Sequence, residues 1–198
     1  VNGRRITDAE MLRVVTMVYG GLVNKNIVAQ LQTRGGNALG LTGADMDVVR
    51  SHKREVKDVD YGFVGDVDTV DGIRLADLIE SGVVPVMAPL THDGKGNILN
   101  TNADTIASET AKALSAYYDV TLVYAFEKAG VLADSDDEGS VIRCLDKEKF
   151  EKYVADGTIA GGMLPKLENA FAAIKTGVKR VAITKDTDLE VRCGTMIE

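Results

Sequence analysis

One short segment of the chain combines two amides and a carboxylate, in the order Asn100-Thr101-Asn102-Ala103-Asp104. Asparagine amides can donate hydrogen bonds to a carboxylate or an acyl oxygen and accept one from an N–H group. The same pattern is also typical of a helix start, with Asn102 as N-cap and Asp104 near the positive end of the helix. Taken alone, the segment therefore fits a ligand site or a plain helix cap.

A second segment, Gly161-Gly162-Met163-Leu164-Pro165-Lys166, places two glycines before a predicted helix. Glycines there leave backbone N–H groups open to a phosphate, and proline suits a first helical turn. The helix dipole disfavours a cation in that turn, so Lys166 is expected to face an anion. A helix start with a solvated lysine is the alternative.

Arginine supplies a third candidate, because its planar fork can hold a carboxylate through two hydrogen bonds. Arg5 lies in Asn2-Gly3-Arg4-Arg5-Ile6-Thr7, directly before a predicted helix, although a solvated surface arginine is the alternative. The glycine-rich stretch 35–45 lacks the GxGxxG and GxxxxGK[ST] patterns, which argues against Rossmann and Walker phosphate loops. His52 and His92 have no carboxylate or cysteine at ligand spacing, so we expect surface histidines and no metal site.

Composition narrows the class of partner. The formal net charge is −7 over 198 residues, and there is no run rich in lysine and arginine. This argues against nucleic acid or an anionic membrane as partner, but not against small anions bound in a cleft. No apolar run reaches the roughly 20 residues that a membrane span needs. Cys144 and Cys193 are far apart, which favours free thiols and a cytoplasmic location.

The elements that must position these residues alternate between strands and helices. Thr7-Asp8-Ala9-Glu10 predicts a capping box that opens a helix, which Gly20-Gly21 is expected to interrupt. A polar β-hairpin is predicted from Glu55 to Val70. The other predicted helices are near 22–32, 75–80, 103–116, 147–155 and 165–176, and the other strands near 38–41, 83–88, 120–124, 180–184 and 194–197. We therefore expect an α/β fold, an open three-layer αβα sandwich with a mostly parallel central sheet.

Taken together, these segments resemble the N-acetylglutamate kinases of the amino acid kinase family. The matching stretches are 2–10, Val23-Asn24-Lys25, Gly40-Leu41-Thr42-Gly43, 82–89, 100–104, 161–166 and Gly194-Thr195-Met196-Ile197. Asn-x-Asn-Ala-Asp followed by Gly-Gly-Met-x-Pro-Lys is specific, and its joint occurrence favours the ligand-binding interpretation of each segment over the structural one.

The resemblance implies phosphorylation of the side-chain carboxylate of N-acetylglutamate by ATP, with Mg²⁺ carried by the nucleotide, in arginine biosynthesis. It implies substrate binding by Arg5, Asn100 and Asn102. It also implies catalytic roles for Lys166 and Asp104, which are expected to lie close together, and nucleotide contacts from Glu127, Gly161, Gly162 and Met163. No general base is needed, because the attacking carboxylate is already ionised at neutral pH. A single domain is expected, with residues 1–104 mainly binding the acylglutamate and 105–198 mainly the nucleotide.

Three departures from the family pattern leave alternatives open. The family's initial Lys-x-Gly-Gly and His-Gly-Gly-Gly motifs are not in this sequence, so we expect an incomplete N-terminus. Glu127 stands where the family has an aspartate, and residues 184–193 are shorter than the family's last helix. N-succinylglutamate is thus an alternative substrate, and a catalytically idle acylglutamate- or arginine-binding regulatory protein an alternative function. We expect a homo-oligomer of two or more copies, without nucleic acid or membrane partners.

Overall fold

The computed structural model describes residues 6–191 and 193–198. The chain divides into two compact units, the first ending at Leu114 and the second beginning at Ser115. Each unit has its own sheets and helices. Arg5, predicted to bind substrate, lies outside the described residues.

Helix α1 (Ala9–Val15) opens the first unit, and its N-cap is Asp8 rather than the predicted Thr7. Asp8 Oδ1 accepts the Met11 N–H at 2.7 Å, which satisfies one of the free donors of the first turn. Thr7 is fully buried instead and forms a bridge to Gly62. The capping box is therefore wrong by one residue, because tertiary contacts hold Thr7 in extended backbone.

The predicted interruption at Gly20-Gly21 is also wrong. The chain stays helical through a π-helical stretch, Thr16–Val23, and continues as α2 (Asn24–Gln32). A side-chain carbon on Gly20 would come within 3.0 Å of Leu90 Cδ1, so the missing side chain lets the helix approach the sheet beneath it. Gly20 therefore allows close packing, and the π-helical turns, which are wider than α-helical ones, let the helix continue past the two glycines.

Two sheets lie in the first unit. Strands β1 (Ala38–Leu41) and β4 (Val84–Met87) pair in parallel, and α3 (Gly72–Glu80) precedes β4. The predicted strand at 83–88 is confirmed, but it is not fully buried, since Val84 is about half exposed. This exposure is possible because β4 pairs on only one side among the described strands.

The second sheet has the strand order β3-β2-β5-β6. Its members are β2 (Val49–Lys53), β3 (Gly65–Val70), β5 (Leu90–His92) and β6 (Ile98–Asn100). The hairpin predicted from Glu55 to Val70 is confirmed only for its second strand, β3; its first strand is wrong, because the antiparallel partner of β3 is β2, which ends at Lys53. Residues 54–64 form the connecting loop, because their charged and turn-forming side chains suit solvent better than a ladder. Helix α4 (Ala103–Leu114) follows β6 and packs Ile106 against a core of Val48, Val49 and Leu75.

The second unit holds a sheet of order β7-β9-β10-β8. Its elements are β7 (Thr121–Phe126), β8 (Cys144–Leu145), α5 (Lys147–Ala155), α6 (Met163–Lys175), β9 (Arg180–Lys185) and β10 (Thr195–Ile197). Strands β7 and β9 pair in parallel, as do β10 and β8, whereas β9 and β10 are antiparallel. Leu145, Leu167 and Ile183 are fully buried in this unit. Alternating strands and helices with parallel pairs confirm the predicted α/β class.

Candidate active site

Asn100 ends β6 and is tied to the start of the chain. Its Nδ2 donates to Thr7 Oγ1 at 3.0 Å, and its backbone N–H donates to Phe63 O at 2.9 Å. Thr7 in turn exchanges backbone hydrogen bonds with both sides of Gly62, through Tyr61 O at 3.0 Å and the Phe63 N–H at 2.7 Å. Residues 61–63 therefore lie between Thr7 and Asn100. This arrangement brings the residues that follow Arg5 next to the first asparagine.

Asn102 caps helix α4. Its Oδ1 accepts the Thr105 N–H at 3.0 Å, so the structural interpretation of this asparagine is confirmed. The side chain is exposed, and its Nδ2 has no acceptor among the described residues. Asp104 follows in the first turn of α4 and is half-buried. An asparagine can cap a helix with its oxygen and still offer its N–H groups to a ligand, so the two interpretations are compatible.

The glycine pair precedes α6 as predicted. Gly161 has a φ of +60°, which an L-residue rarely adopts, and Gly162 caps the helix without any side-chain hydrogen bond. Both glycines are exposed, and Met163 is the first helical residue. The first N–H groups of this 13-residue helix thus have no side-chain cap, which suits an anion.

Lys166 lies in the first turn of α6, where its Nζ is 5.7 Å from the centroid of the Tyr124 ring. Tyr124 belongs to β7 and is only 5% exposed. A cation above an aromatic face at this distance is attracted to the ring. The sequence pattern did not indicate this role for Tyr124, because the residue fits the pattern of a buried strand. Glu127 follows the same strand and is exposed.

Comparison with known proteins identifies the fold and the family. The sequence profile of the amino acid kinase family matches residues 1–185. The chain belongs to the amino acid kinase family. This amino acid kinase chain is 71% identical over 198 residues to a Bacteroides thetaiotaomicron protein named acetylglutamate kinase, covering all of the chain and 77% of that protein. The corresponding protein of Parabacteroides distasonis is 62% identical over 197 residues, covering 100% of the chain and 77% of that protein.

Two solved structures have a similar fold. The Streptococcus mutans protein smu.665 has a TM-score of 0.83 and 27% identity, over 100% of this kinase chain and 75% of that chain. An N-acetylglutamate synthase from Neisseria gonorrhoeae, solved with coenzyme A and N-acetyl-glutamate, has a TM-score of 0.84 at 22% identity, over 100% of this chain and 46% of that one. The second likeness concerns the fold alone.

The structure groups the predicted site residues of the kinase chain by unit. Asn100, Asn102 and Asp104 follow one another from the end of β6 into α4, in the first unit. Glu127, Gly161, Gly162, Met163 and Lys166 lie in the second unit, at the end of β7 and the start of α6. The expected proximity of Asp104 and Lys166 joins residues of different units and stays a prediction.

The two histidines have carboxylate partners that their sequence neighbourhood did not indicate. His52 Nδ1 lies 2.6 Å from Asp68 Oδ1, and His92 Nε2 lies 2.7 Å from Asp47 Oδ1. The hydrogen bond to Asp68 raises the pKa of His52 above its usual range. The prediction of a surface position is confirmed for His52, whereas the His92 side chain is only 16% exposed and is therefore half-buried. Over residues 6–191 and 193–198, no group of three or more His, Cys, Asp or Glu residues could hold a metal ion.

Proposed function

We propose that this protein is an ATP-dependent N-acetylglutamate kinase of arginine biosynthesis, which transfers the γ-phosphoryl group to the side-chain carboxylate of its substrate. The observation that carries the proposal is 71% identity, over the whole chain, to a protein named acetylglutamate kinase. Four further relatives between 62% and 69% identity have the same name. The geometry of the two halves of the candidate site supports it.

The acylglutamate side of the site is assigned to Arg5, Asn100 and Asn102. The bond from Asn100 to Thr7 supports this grouping, because it fixes the first asparagine against the residues that follow Arg5. In the proposal, the Arg5 guanidinium binds a carboxylate that does not react. The amides of Asn100 and Asn102 hold the acylamino group, for which the outward Nδ2 of Asn102 is suited.

The phosphoryl side is assigned to the start of α6. The uncapped N–H groups after Gly161 and Gly162, together with the Lys166 ammonium, form the kind of donor set that fits a polyphosphate. ATP supplies the phosphoryl group, and the Mg²⁺ that accompanies it neutralises phosphate charge. Lys166 stabilises the charge that develops on the transferred group, and Asp104 orients the lysine. Glu127, which follows β7, and Met163, the first residue of α6, are assigned to the nucleotide.

Proton transfer has no part in the proposed step. The attacking carboxylate is ionised at neutral pH, so positioning and charge neutralisation supply the catalysis. This explains why neither histidine is required at the site. His52 and His92 are engaged by Asp68 and Asp47, which gives them structural partners instead.

The product provides a direct test, because an acyl phosphate reacts with hydroxylamine to a hydroxamate. The full-length protein with ATP, Mg²⁺ and N-acetylglutamate is expected to form hydroxamate, and glutamate without the acyl group serves as control. N-succinylglutamate in place of the acetyl substrate decides between the two acyl groups. If neither acid gives hydroxamate but N-acetylglutamate still binds in calorimetry, the protein is a binding protein and not a kinase.

We also propose that the protein is a homo-oligomer in the cytoplasm. Apolar side chains along the helical segment 11–27 are exposed, among them Met17 at 62% and Leu22 at 63%. Such a stripe on one continuous helix is typical of a surface covered by a partner, and we assign it to a second copy of the chain. Light scattering should report a smaller species for Leu22→Glu. Ile73→Glu, an equally exposed apolar position on α3, is the control and should leave the mass unchanged.

A further inference from the structure

Thr101 lies between the two asparagines assigned to the substrate, and its side chain is buried. Thr101 faces the interior, whereas Asn100 on one side of it is half-buried and Asn102 on the other is exposed, the alternation expected of extended backbone. Thr101 is 4% exposed, and its hydroxyl lies 2.8 Å from the hydroxyl of Thr91, which is fully buried. We propose that Thr101, Thr91 and Gly65 form a hydroxyl lock that positions Asn100 and Asn102 for the acylglutamate. The inference rests on the proposed function.

The lock joins two strands, β3 and β5, to the asparagine segment. Thr101 Oγ1 lies 3.3 Å from Gly65 O at the start of β3, and the Thr101 N–H donates to Pro89 O at 3.0 Å, just before β5. Thr91 itself lies in β5. Because β6 has already ended at Asn100, these contacts hold the segment where the sheet ladder no longer does.

One arrangement of protons satisfies every group of the lock. Each threonine hydroxyl donates one hydrogen and can accept others. Thr101 donates to Gly65 O, the only carbonyl within reach in the described contacts, and Thr91 then donates to Thr101 Oγ1. Thr101 is therefore both donor and acceptor, whereas Thr91 only donates within the lock. Loss of the Thr101 hydroxyl would leave the buried Thr91 hydroxyl without an acceptor, while loss of the Thr91 hydroxyl leaves the bond to Gly65 intact.

Gly65 fits the lock because it has no side chain. A carbon built on Gly65 would lie 2.7 Å from Thr101 Oγ1 and 2.9 Å from Thr91 Oγ1. It would also lie 2.9 Å from Leu99 Cβ. Any side chain there would displace the two hydroxyls, so the space above this glycine is filled by the lock itself.

The mutations that test the lock follow from its asymmetry. In the full-length protein, Thr101→Val is expected to raise KM for N-acetylglutamate about tenfold, as for a buried hydroxyl left unpaired. KM for ATP should stay within about twofold, because Thr101 lies between two residues assigned to the acylglutamate and none assigned to the nucleotide. The change should fall on KM and not on kcat, because these residues are proposed to bind the ground state and the transition state equally well. Thr91→Val should have a smaller effect, about threefold. The double variant should lie closer to the wild type than Thr101→Val alone, because it leaves no hydroxyl unpaired.

Two controls separate the lock from general destabilisation. Thr101→Ser retains the hydroxyl, so its KM for N-acetylglutamate should be close to that of the wild type and below that of Thr101→Val. Ser51→Ala removes a hydroxyl that is equally buried in the same sheet but has no hydrogen-bond partner among the described residues. This variant should leave both KM values unchanged and should not lower the melting temperature. An equal rise of both KM values in Thr101→Val, or a lower melting temperature with KM unchanged, would overturn the inference.

The outcomes also distinguish this inference from the proposed function. A wild-type protein that forms no hydroxamate defeats the proposed function and the inference with it. An active wild type with an unaffected Thr101→Val defeats the inference alone. If Thr101→Val does not fold, Thr91→Val and the double variant are measured instead. A rise in KM for N-acetylglutamate alone in Thr91→Val supports the lock. Unchanged KM values in both variants contradict it.

Discussion

Asn100 donates a hydrogen bond to Thr7 at 3.0 Å although 93 residues separate them in sequence. Thr7 is fully buried, so this contact is shielded from water and its loss leaves a polar group without a partner. The bond uses one N–H of the Asn100 amide and fixes its orientation, and the second N–H and the oxygen are proposed to contact the ligand. It therefore ties the placement of a proposed substrate group to the segment that follows Arg5.

Substitution of Thr7 by valine tests this link. Thr7→Val keeps the side-chain shape and removes the acceptor for Asn100 Nδ2, so the amide loses its fixed orientation. We expect KM for N-acetylglutamate to rise about threefold to tenfold, with KM for ATP little changed. Thr7→Ser retains the hydroxyl and is the control. Equal behaviour of Thr7→Ser and Thr7→Val in steady-state kinetics would contradict the role of the bond.

Arg5 is predicted to grip the non-reacting carboxylate, and Arg5→Lys tests the assignment. Lysine keeps the charge but lacks the planar fork that binds a carboxylate through two hydrogen bonds. The loss should therefore fall on KM for N-acetylglutamate, with kcat nearly unchanged, because the group bound does not change charge during the reaction. A rise in KM for ATP alone would place Arg5 on the nucleotide side instead.

Elements whose ends are set by local chemistry could be predicted closely. Helix α5 was predicted at 147–155 and runs from Lys147 to Ala155, because Asp146 caps it by accepting the Lys149 N–H at 2.8 Å. The turn after His92 was also predictable, since Asp93 accepts backbone N–H groups within its own hairpin. By contrast, Gly20-Gly21 looked like a helix end and is not one, because packing against Leu90 decides its conformation.

The candidate site also combines local features, which the sequence predicts, with long-range contacts, which it does not. The cap at Asn102 and the glycine start of α6 are local features, and the sequence predicted both. Contacts between distant segments were not predictable, among them Thr7 with Asn100 and Tyr124 with Lys166. No spacing rule relates residues 93 positions apart, so only the folded chain brings them together. The resemblance to the family supplied roles for single residues, and the structure supplied their neighbours.

The ion pair between His52 and Asp68 gives a pH-dependent prediction. Asp68 raises the pKa of His52 because its hydrogen bond favours the charged ring, so Asp68→Asn should lower that pKa toward its usual value of about 6.5. Proton NMR titration measures the shift, and His92 in the same sample is the reference. A pKa of His52 that is identical in both proteins would show that the carboxylate does not act on the ring.

The same ion pair links pH to stability. Since the pKa of His52 is raised in the folded state, its stabilisation is complete below the unfolded pKa and is lost as the pH rises through the folded pKa. Asp68→Asn should therefore lower the urea midpoint at about pH 6, where His52 is charged, and leave it unchanged at about pH 9, where His52 is neutral. Both side chains are about half exposed, so the difference should be small. A difference that grew toward high pH would contradict the sign.

Lys166 is expected to act on the transferred phosphoryl group. Lys166→Met removes a charge that matters most when negative charge shifts from donor to acceptor. The loss should fall mainly on kcat, by about 100-fold or more, as for a single transition-state donor. Lys175→Met, at the other end of the same helix, is the control and should leave kcat unchanged. An effect of Lys166→Met confined to KM would assign the lysine to ground-state binding only.

Tyr124 offers a final test, because the ring lies 5.7 Å from the Lys166 ammonium and holds it by attraction to the aromatic face. Tyr124→Phe keeps that face and should retain kcat within about twofold, whereas Tyr124→Leu removes it and should lower kcat about threefold to tenfold. KM for N-acetylglutamate should not change in either variant. Tyr117→Leu, at a half-exposed position in the same unit, is the matched control. If Tyr124→Phe lowered kcat as much as Tyr124→Leu, the hydroxyl and not the ring face would position the lysine.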